Sequence, residues 1–413
     1  MYRALLPLLF VLTLASCDRG LETHTYPSPV DTSTREITLQ EKRTWTFPVT
    51  GLTFDNRFDG ARLNDVVQEA SNLYRVHIEP ENTPINPSPW YAFLVKSERA
   101  KRVTLRLTYS NDANHRYFPK ISTDRKLWTP VDSLRVIRNV NGKELFVTLE
   151  LGAGDSLYVA GQEVINSTDV RQWAEELADH PRVDMNVFGE SKLGRDMLRL
   201  DIGTQSGSKR PTIILLSRQH PPEVTGFLAL QAFLDGLLEH PRLEEFLGQY
   251  QLRVYPLLNP DGVDLGHWRH TAGGIDSNRD WAEYRQPEAR AVANDIVDRT
   301  KEASSRVVLG MDFHSTWADV YYTHTDAVEP PTALPGFKDA WLASIERKIG
   351  GDFRINEEAE PIGRPTTMSW FRKQFGAEGI TYEIGDNTDR AFVEQKGRVS
   401  ADALVEVLLA ETP

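Results

Sequence analysis

"PTIILLSRQHPPEVTGFLALQAFLDGLLE", Pro211 to Glu239, passes from one kind of order to another within about ten residues. The run "PTIILL" is β-branched or aliphatic almost throughout, so it reads as a strand buried on both faces rather than one with a face toward water. From Val224 onward apolar residues recur at helical spacing, which predicts a packed helix. His220 and Glu223 fall in the turn between them, at the carboxyl end of the strand, where open α/β sheets gather their ligands. Pro221 and Pro222 donate no ladder hydrogen bond and fix their own φ, so the turn is stiff. A histidine and a glutamate held on such a turn are a candidate metal-binding pair.

The surrounding grammar agrees with that reading. From residue 166 to 413 strand and helix signals alternate, with strands expected in "MLRLDIG", "PTIILLS", "YQLRVYPLL", "RVVLGMDFH" and "GITYEIG". Helices are expected in "STDVRQWAEELADH", with Asp169 as N-cap, and in "FLALQAFLDGLLE", "PEARAVANDIVDRT", "PGFKDAWLASIERKIG" and "SADALVEVLLAE". This is an α/β domain, a parallel or mixed sheet flanked by helices. His314 ends one predicted strand and Glu383 lies near the end of another. His220, Glu223, His314 and Glu383 are therefore all expected at strand carboxyl ends, where one cleft could hold them. Two imidazoles and one carboxylate suit Zn²⁺, one per chain, and three protein ligands leave a fourth position open as catalytic sites require. Glu383 is then placed as the base. A lone H-x-x-E would mean little in a chain with 10 histidines; the convergence carries the reading.

Residues 35–165 show short alternating segments such as "NLYRVHIEP", "RVTLRLTYS" and "ELFVTLEL" divided by polar turns, which predicts an antiparallel β-sandwich domain. Trp90, Tyr91 and Trp128 are read as its core. Residues 1–17 carry one basic residue, an apolar run and small residues before Cys17, the layout of a secretory signal. Cys17 is the only cysteine, so there is no disulfide framework. "LTLASC" is similar to the lipobox of bacterial lipoproteins, which implies a lipidated Cys17 and a place in the bacterial cell envelope, lipid-anchored, facing the periplasm or the exterior. Residues 18–34 read as a flexible polar tether. The 413 residues hold Lys+Arg 47 against Asp+Glu 59, a net charge of −12, which disfavours nonspecific nucleic-acid binding. Beyond the N-terminus no run is long and apolar enough to span a bilayer, so membrane attachment is expected through lipid only.

From about residue 170 to 390 the sequence resembles the M14 family of zinc carboxypeptidases. "RQHPPEVTG" resembles the family's zinc motif, "NPDGVDLGHWRHTAGGIDSNRDW" its stretch of substrate-binding residues, and "DFHS" and "TYEIGD" its third ligand and catalytic glutamate. Within the family the likeness is greatest to the cytosolic-carboxypeptidase branch, which carries a β-sandwich ahead of the catalytic domain. The resemblance implies a zinc carboxypeptidase-like mixed sheet preceded by an antiparallel β-sandwich, and removal of C-terminal residues, peptide- or isopeptide-linked, from a substrate with a free carboxylate. It implies His220, Glu223 and His314 as zinc ligands, Glu383 as general base toward the zinc-bound water, and Arg269 as the group that polarises the scissile carbonyl. It further implies Asn278 and Arg279 as the grip on the substrate carboxylate, and Asp276 as the carboxylate that orients the first histidine. Two departures stand out. The position at which pancreatic-type members carry a capping tyrosine, 22 residues before Glu383, is Pro361, and no tyrosine occurs between Tyr322 and Tyr382. The pocket position, 15 before Glu383, is Met368, and the nearby Arg364, Arg372 and Lys373 predict preference for acidic or neutral side chains over basic ones. His267, His270 and His324 are read as surface or pocket-lining residues. Two alternatives stay open: a hydrolase of murein peptides on the same fold, and a non-catalytic ligand-binding lipoprotein.

Overall fold

Every side chain of Thr212–Ser217 is buried, as a strand covered on both faces requires. The computed structural model describes residues 20–204, 208–325 and 330–410; Cys17 and its signal segment lie outside the described residues. Thr212–Ser217 sits inside an eight-stranded sheet in the order Val183–Glu190, Asp196–Ile202, Gln251–Tyr255, Thr212–Ser217, Val307–Thr316, Glu378–Gly385, Val320–His324, Glu357–Glu360. The four central strands run parallel, so their carboxyl ends share one rim. The flanks are mixed: Asp196–Ile202 is antiparallel to both neighbours, and Val320–His324 runs back against Glu378–Gly385. Three further strands, Val183–Glu190, Val320–His324 and Glu357–Glu360, were not expected. The two at the ends of the sheet are polar in part and half-buried or fully exposed, and so carry a weak apolar signal, while Val320–His324, one place in from the edge, is largely buried but only five residues long.

Alternate residues of Thr212–Ser217 serve opposite layers. Ile213 and Leu215 join Leu230, Phe233 and Leu234 of the helix Val224–Leu238, whereas Ile214 and Leu216 join Val292 and Ile296 of the helix Pro287–Glu302. Burying each such side chain stabilises the fold by about 1.5–3 kcal/mol. Gly226 has a specific task. A Cβ there would lie 2.5 Å from the His314 carbonyl oxygen, so the first turn of its helix rests directly on the strand of His314. The helix Arg390–Ala410 begins ten residues before the predicted segment, because charged residues and Gly397 hide its early apolar pattern. Gly397 is the contact itself, its Cα facing Ala232.

The helix Ser167–Leu177 is capped by Asn166, not by Asp169. Asn166 accepts the Asp169 N–H, and the Asp169 carboxylate accepts the Asn166 N–H. Asp169 is thus the far half of a capping box; both residue types suit a cap, and position decided between them.

Residues 44–160 form two facing sheets, of six and five strands. Val103, Leu105 and Leu107 alternate inward from Lys101–Tyr109, and Trp90 and Tyr91 are buried while Trp128 is half-buried. One pair departs from the antiparallel expectation: Leu73–Ile78 is parallel to Lys101–Tyr109. Between them the chain crosses to the other sheet for Ala92–Ser97 and returns, so it re-enters in its original direction.

From residue 20 the expected tether is docked. Tyr26 is buried and donates to the Trp281 carbonyl, Thr32 donates to Asp280 (2.5 Å), and the N–H groups of Ser28 and Arg35 donate to the carbonyls of Gly363 and Gly273. Polar, proline-containing composition predicted solvation; backbone and hydroxyl partners supplied by the α/β unit satisfy those groups instead.

Candidate functional site

The turn after Thr212–Ser217 is built to hold its shape. Arg218 adopts φ 55°, and its guanidinium folds back to donate to the carbonyls of Pro221 (2.8 Å) and Ile165 (3.1 Å). Asn259 and Ser277 both donate to the Gln219 carbonyl. His220 follows, and Glu223 is the residue at which the helix Val224–Leu238 begins. On the neighbouring strands His314 and Glu383 are register partners across a parallel pair.

The three expected ligands meet. Among the described residues, His220, Glu223 and His314 offer one ligand atom each, all within 4.8 Å of one another, and all three are buried. Glu223 lies between the imidazoles, with Oε1 2.8 Å from His220 Nδ1 and Oε2 2.6 Å from His314 Nδ1. The far nitrogens are anchored: His220 Nε2 is 2.8 Å from Asp276, and His314 Nε2 is 2.7 Å from Asp312. Each ring therefore sits between two carboxylates. His314 is accordingly held well above its ordinary pKa, because Asp312 and Glu223 outweigh the opposing effect of burial. Glu223 is held well below its own, burial being overcome by the two imidazoles. The donor set passes the test for zinc. With each Nε2 tied to a carboxylate, both Nδ1 atoms face Glu223, and two nitrogens with one carboxylate are a zinc-type triad oriented by outer carboxylates.

Asp312 was missed by sequence reasoning, although a signal existed. It precedes His314 by two on a strand, which puts both on one face. It also accepts from Gln219 (2.5 Å) and from Thr367.

Glu383 lines the same cavity, of about 570 Å³. Its Oε2 is buried without a hydrogen-bond partner among the described residues, and burial, then the Glu223 carboxylate, push its pKa up to about 7. A carboxylate that is unsatisfied and raised toward neutrality is suited to taking and returning a proton. Arg269 donates through Nε to Asp276 (2.8 Å) and lines the cavity, as do Asn278, Arg279, Arg364 and Met368. Asn278 accepts from the Thr367 N–H at 3.0 Å, and Arg279 donates to the Asn278 carbonyl at 2.7 Å.

The basic cluster divides. Arg364 is exposed at the cavity, whereas Arg372 is buried elsewhere against Pro330 and Gly376, and Lys373 lies over the Tyr26 ring at 5.1 Å. The separation follows from an unexpected helix, Thr367–Phe375, capped by Thr366: Arg364 lies in the loop before it, and Arg372 and Lys373 are consecutive residues of its last turn, which a 3.6-residue period points about 100° apart. His267, His270 and His324 are not surface residues. All are buried, with ring nitrogens engaged by the His270 carbonyl, by Asn82 and by the Glu360 and Met368 carbonyls respectively. Tyr322, beside Glu383's strand, brings a phenol to the cavity wall where Pro361 brings none.

Arg116 had no sequence signal. It comes from the sandwich unit, lines the cavity, and pairs through two nitrogens with Asp386 (2.6 and 3.2 Å) while donating to the Ser315 carbonyl (3.0 Å). It thus ties together the ends of the strands that carry His314 and Glu383.

Comparison with known proteins agrees with this geometry. Residues 170–396 match the family Peptidase_M14, described as zinc carboxypeptidase. The chain is 26% identical over 295 residues to Cytosolic carboxypeptidase 2 of Danio rerio, covering 64% of this chain and 41% of that protein. It is 25% identical to an uncharacterized protein of Zymomonas mobilis, covering 70% and 71%. The chain spans less than half the length of the zebrafish relative. A metallo-carboxypeptidase structure from Burkholderia cenocepacia superposes with TM-score 0.72 at 18% identity, covering 87% of this chain and 98% of that one. A metallo-carboxypeptidase of Pseudomonas aeruginosa, solved in complex with (2-guanidinoethylmercapto)succinic acid, superposes at 0.69. These structures share the fold.

Proposed function

The chain belongs to the Peptidase_M14 zinc carboxypeptidase family, and from that premise we propose that it is a zinc-dependent metallocarboxypeptidase that removes C-terminal residues from peptides. One observation carries the reading: His220, Glu223 and His314 converge within 4.8 Å on the wall of a cavity that Glu383 and Arg269 also line.

Zinc, when held by those three side chains, supplies Lewis acidity for a carbonyl and acidifies water. Glu383 accepts the proton of the attacking water through its unpaired Oε2 and returns it to the leaving amine. Arg269 donates to the oxygen on which negative charge develops, its Nε already fixed by Asp276. Asp276 and Asp312 hold the two imidazoles in one orientation. Arg279 and Asn278 line the part of the cavity suited to a terminal carboxylate, for which a guanidinium fork is the natural partner. Arg364 beside them, with Met368 at the pocket position and no acid there, favours acidic or neutral C-terminal side chains.

The test is metal content and turnover together. Purified protein is expected to hold one zinc per chain and to shorten members of a mixed peptide library by one residue, read by mass spectrometry, with loss on chelation. Cleavage within murein peptides alone would move the substrate class, and zinc-free protein with ligand affinity would replace the enzyme by a binder. The envelope location belongs to this proposal. Among the described residues no helix is long and apolar enough to cross a membrane, and attachment is assigned to lipid on Cys17. Several acyl chains hold a protein firmly where one does not. Cys17→Ser is expected to move the protein from membrane to soluble fractions; equal fatty-acid labelling of mutant and wild type would refute it.

A further inference from the structure

Arg269 sits on a loop that the sandwich unit shapes. Trp268, its neighbour, is fully buried as part of the sandwich core, its ring edge-on to Tyr109 at 6.4 Å. At Gly266, φ 65°, a Cβ would lie 2.3 Å from the Ala61 carbonyl oxygen, so the loop runs against sandwich backbone. At the centre of this contact is Glu81, fully buried. Its Oε2 accepts the N–H of Trp268 (2.7 Å), and its Oε1 accepts the N–H groups of Arg269 (3.0 Å) and His270 (2.6 Å). Three successive backbone N–H groups converging on one anion form a nest, here filled by a side chain from another unit. Burial would push this carboxyl up, but His267, Arg62 and His270 hold it below its ordinary pKa, so it is the ionised form that accepts. The next residue extends the grip: Asn82 Oδ1 is 2.7 Å from His270 Nδ1, and its Nδ2 donates to the Gly274 carbonyl at 3.0 Å.

We propose that Glu81 is a positioning residue for catalysis: by holding the backbone of residues 268–270 it sets where the Arg269 guanidinium meets the developing oxyanion. The inference rests on the role given to Arg269 above. The path is short, because the Arg269 N–H is itself one of the three bonds and its Nε is pinned at the other end by Asp276. Displacement by about 1 Å can cost on the order of 10²-fold in rate. An interaction that strengthens in the transition state acts on kcat more than on KM.

The experiment is a double-mutant cycle on the full protein, with zinc content and melting temperature measured for each variant. Glu81→Gln keeps the shape and one acceptor oxygen but turns an N–H₂ toward an N–H donor. It is expected to retain zinc and to lower kcat about tenfold to 10²-fold with KM nearly unchanged. Placed in the Arg269→Ala background, it is expected to change kcat by less than about twofold, because the group it positions is gone. Wild-type kcat in Glu81→Gln, or an equal fold loss in both backgrounds, overturns the proposal while leaving the carboxypeptidase reading intact. Wild-type kcat in Arg269→Ala overturns instead the role of Arg269 and, with it, the inference. If Glu81→Gln does not fold, Glu81→Asp, which keeps the charge and withdraws it by one methylene, carries the same cycle with the same deciding outcomes.

Discussion

The α/β unit and the sandwich unit hold their functional charges in different ways. In the α/β unit His220, Glu223, His314 and Glu383 come together because parallel strands end on one rim, so chain direction alone assembles them. In the sandwich, Glu81 and Arg116 reach the site only because two units are docked, each bonded to backbone of the other unit. The first arrangement is a property of a topology, and the second of an interface.

The largest expected effects sharpen the first half of that contrast. His220→Ala and His314→Ala are expected to lose metal and activity together. Glu383→Gln is expected to keep the metal and lose about 10²–10⁴-fold in kcat. Metal analysis beside kinetics decides, and wild-type turnover in Glu383→Gln would move the chemistry away from the strand ends.

Arg116→Ala tests the second half. The Arg116 and Asp386 side chains are 7% and 1% exposed, and removing one partner of a buried pair costs about 3–5 kcal/mol. Denaturant unfolding is expected to show that loss, partly recovered by Asp386→Asn in the same chain. A loss under about 1 kcal/mol would make the interface dispensable and break the comparison.

A pH profile gives a smaller, graded effect. Burial and Glu223 raise the Glu383 carboxyl to about 7, and a bound dication opposes that rise. Since the ionised form is the base, kcat/KM is expected to rise with pH through an acid limb below about 7 and to be lost as pH falls through it. An acid limb above 7 would contradict the assignment.

The smallest effect belongs to the rim. Peptides ending in Glu or Leu are expected to be cleaved faster than those ending in Lys. Arg364→Ala is expected to reduce the Glu preference about two- to fivefold, the scale of an exposed charge pair. Faster release of Lys than of Glu would remove the specificity proposal.

The legibility of the molecule follows the same division. The five expected strands of the α/β unit were readable because burial on both faces writes continuous apolar runs, as in "PTIILL" and "RVVLGMDF". Glu357–Glu360 was not, being wholly exposed and acidic. Asp312 was within reach of a period-of-two argument from His314. Residues 20–34 looked like a tether because composition registers polarity and is silent about partners. The basic cluster looked like one group because its helix was not assigned.

By itself the sequence determined which residues could carry the chemistry, since ligand type, strand-end position and local order along the chain are properties of short segments. Tertiary structure alone decided which charges are buried against them. Glu81 and Arg116 lie 188 residues from Arg269 and 270 residues from Asp386 along the chain, and no local pattern relates groups so far apart. Only docking of the sandwich removes them from water, and only there does a single carboxylate or guanidinium gain enough strength to fix the geometry of a site built by the other unit.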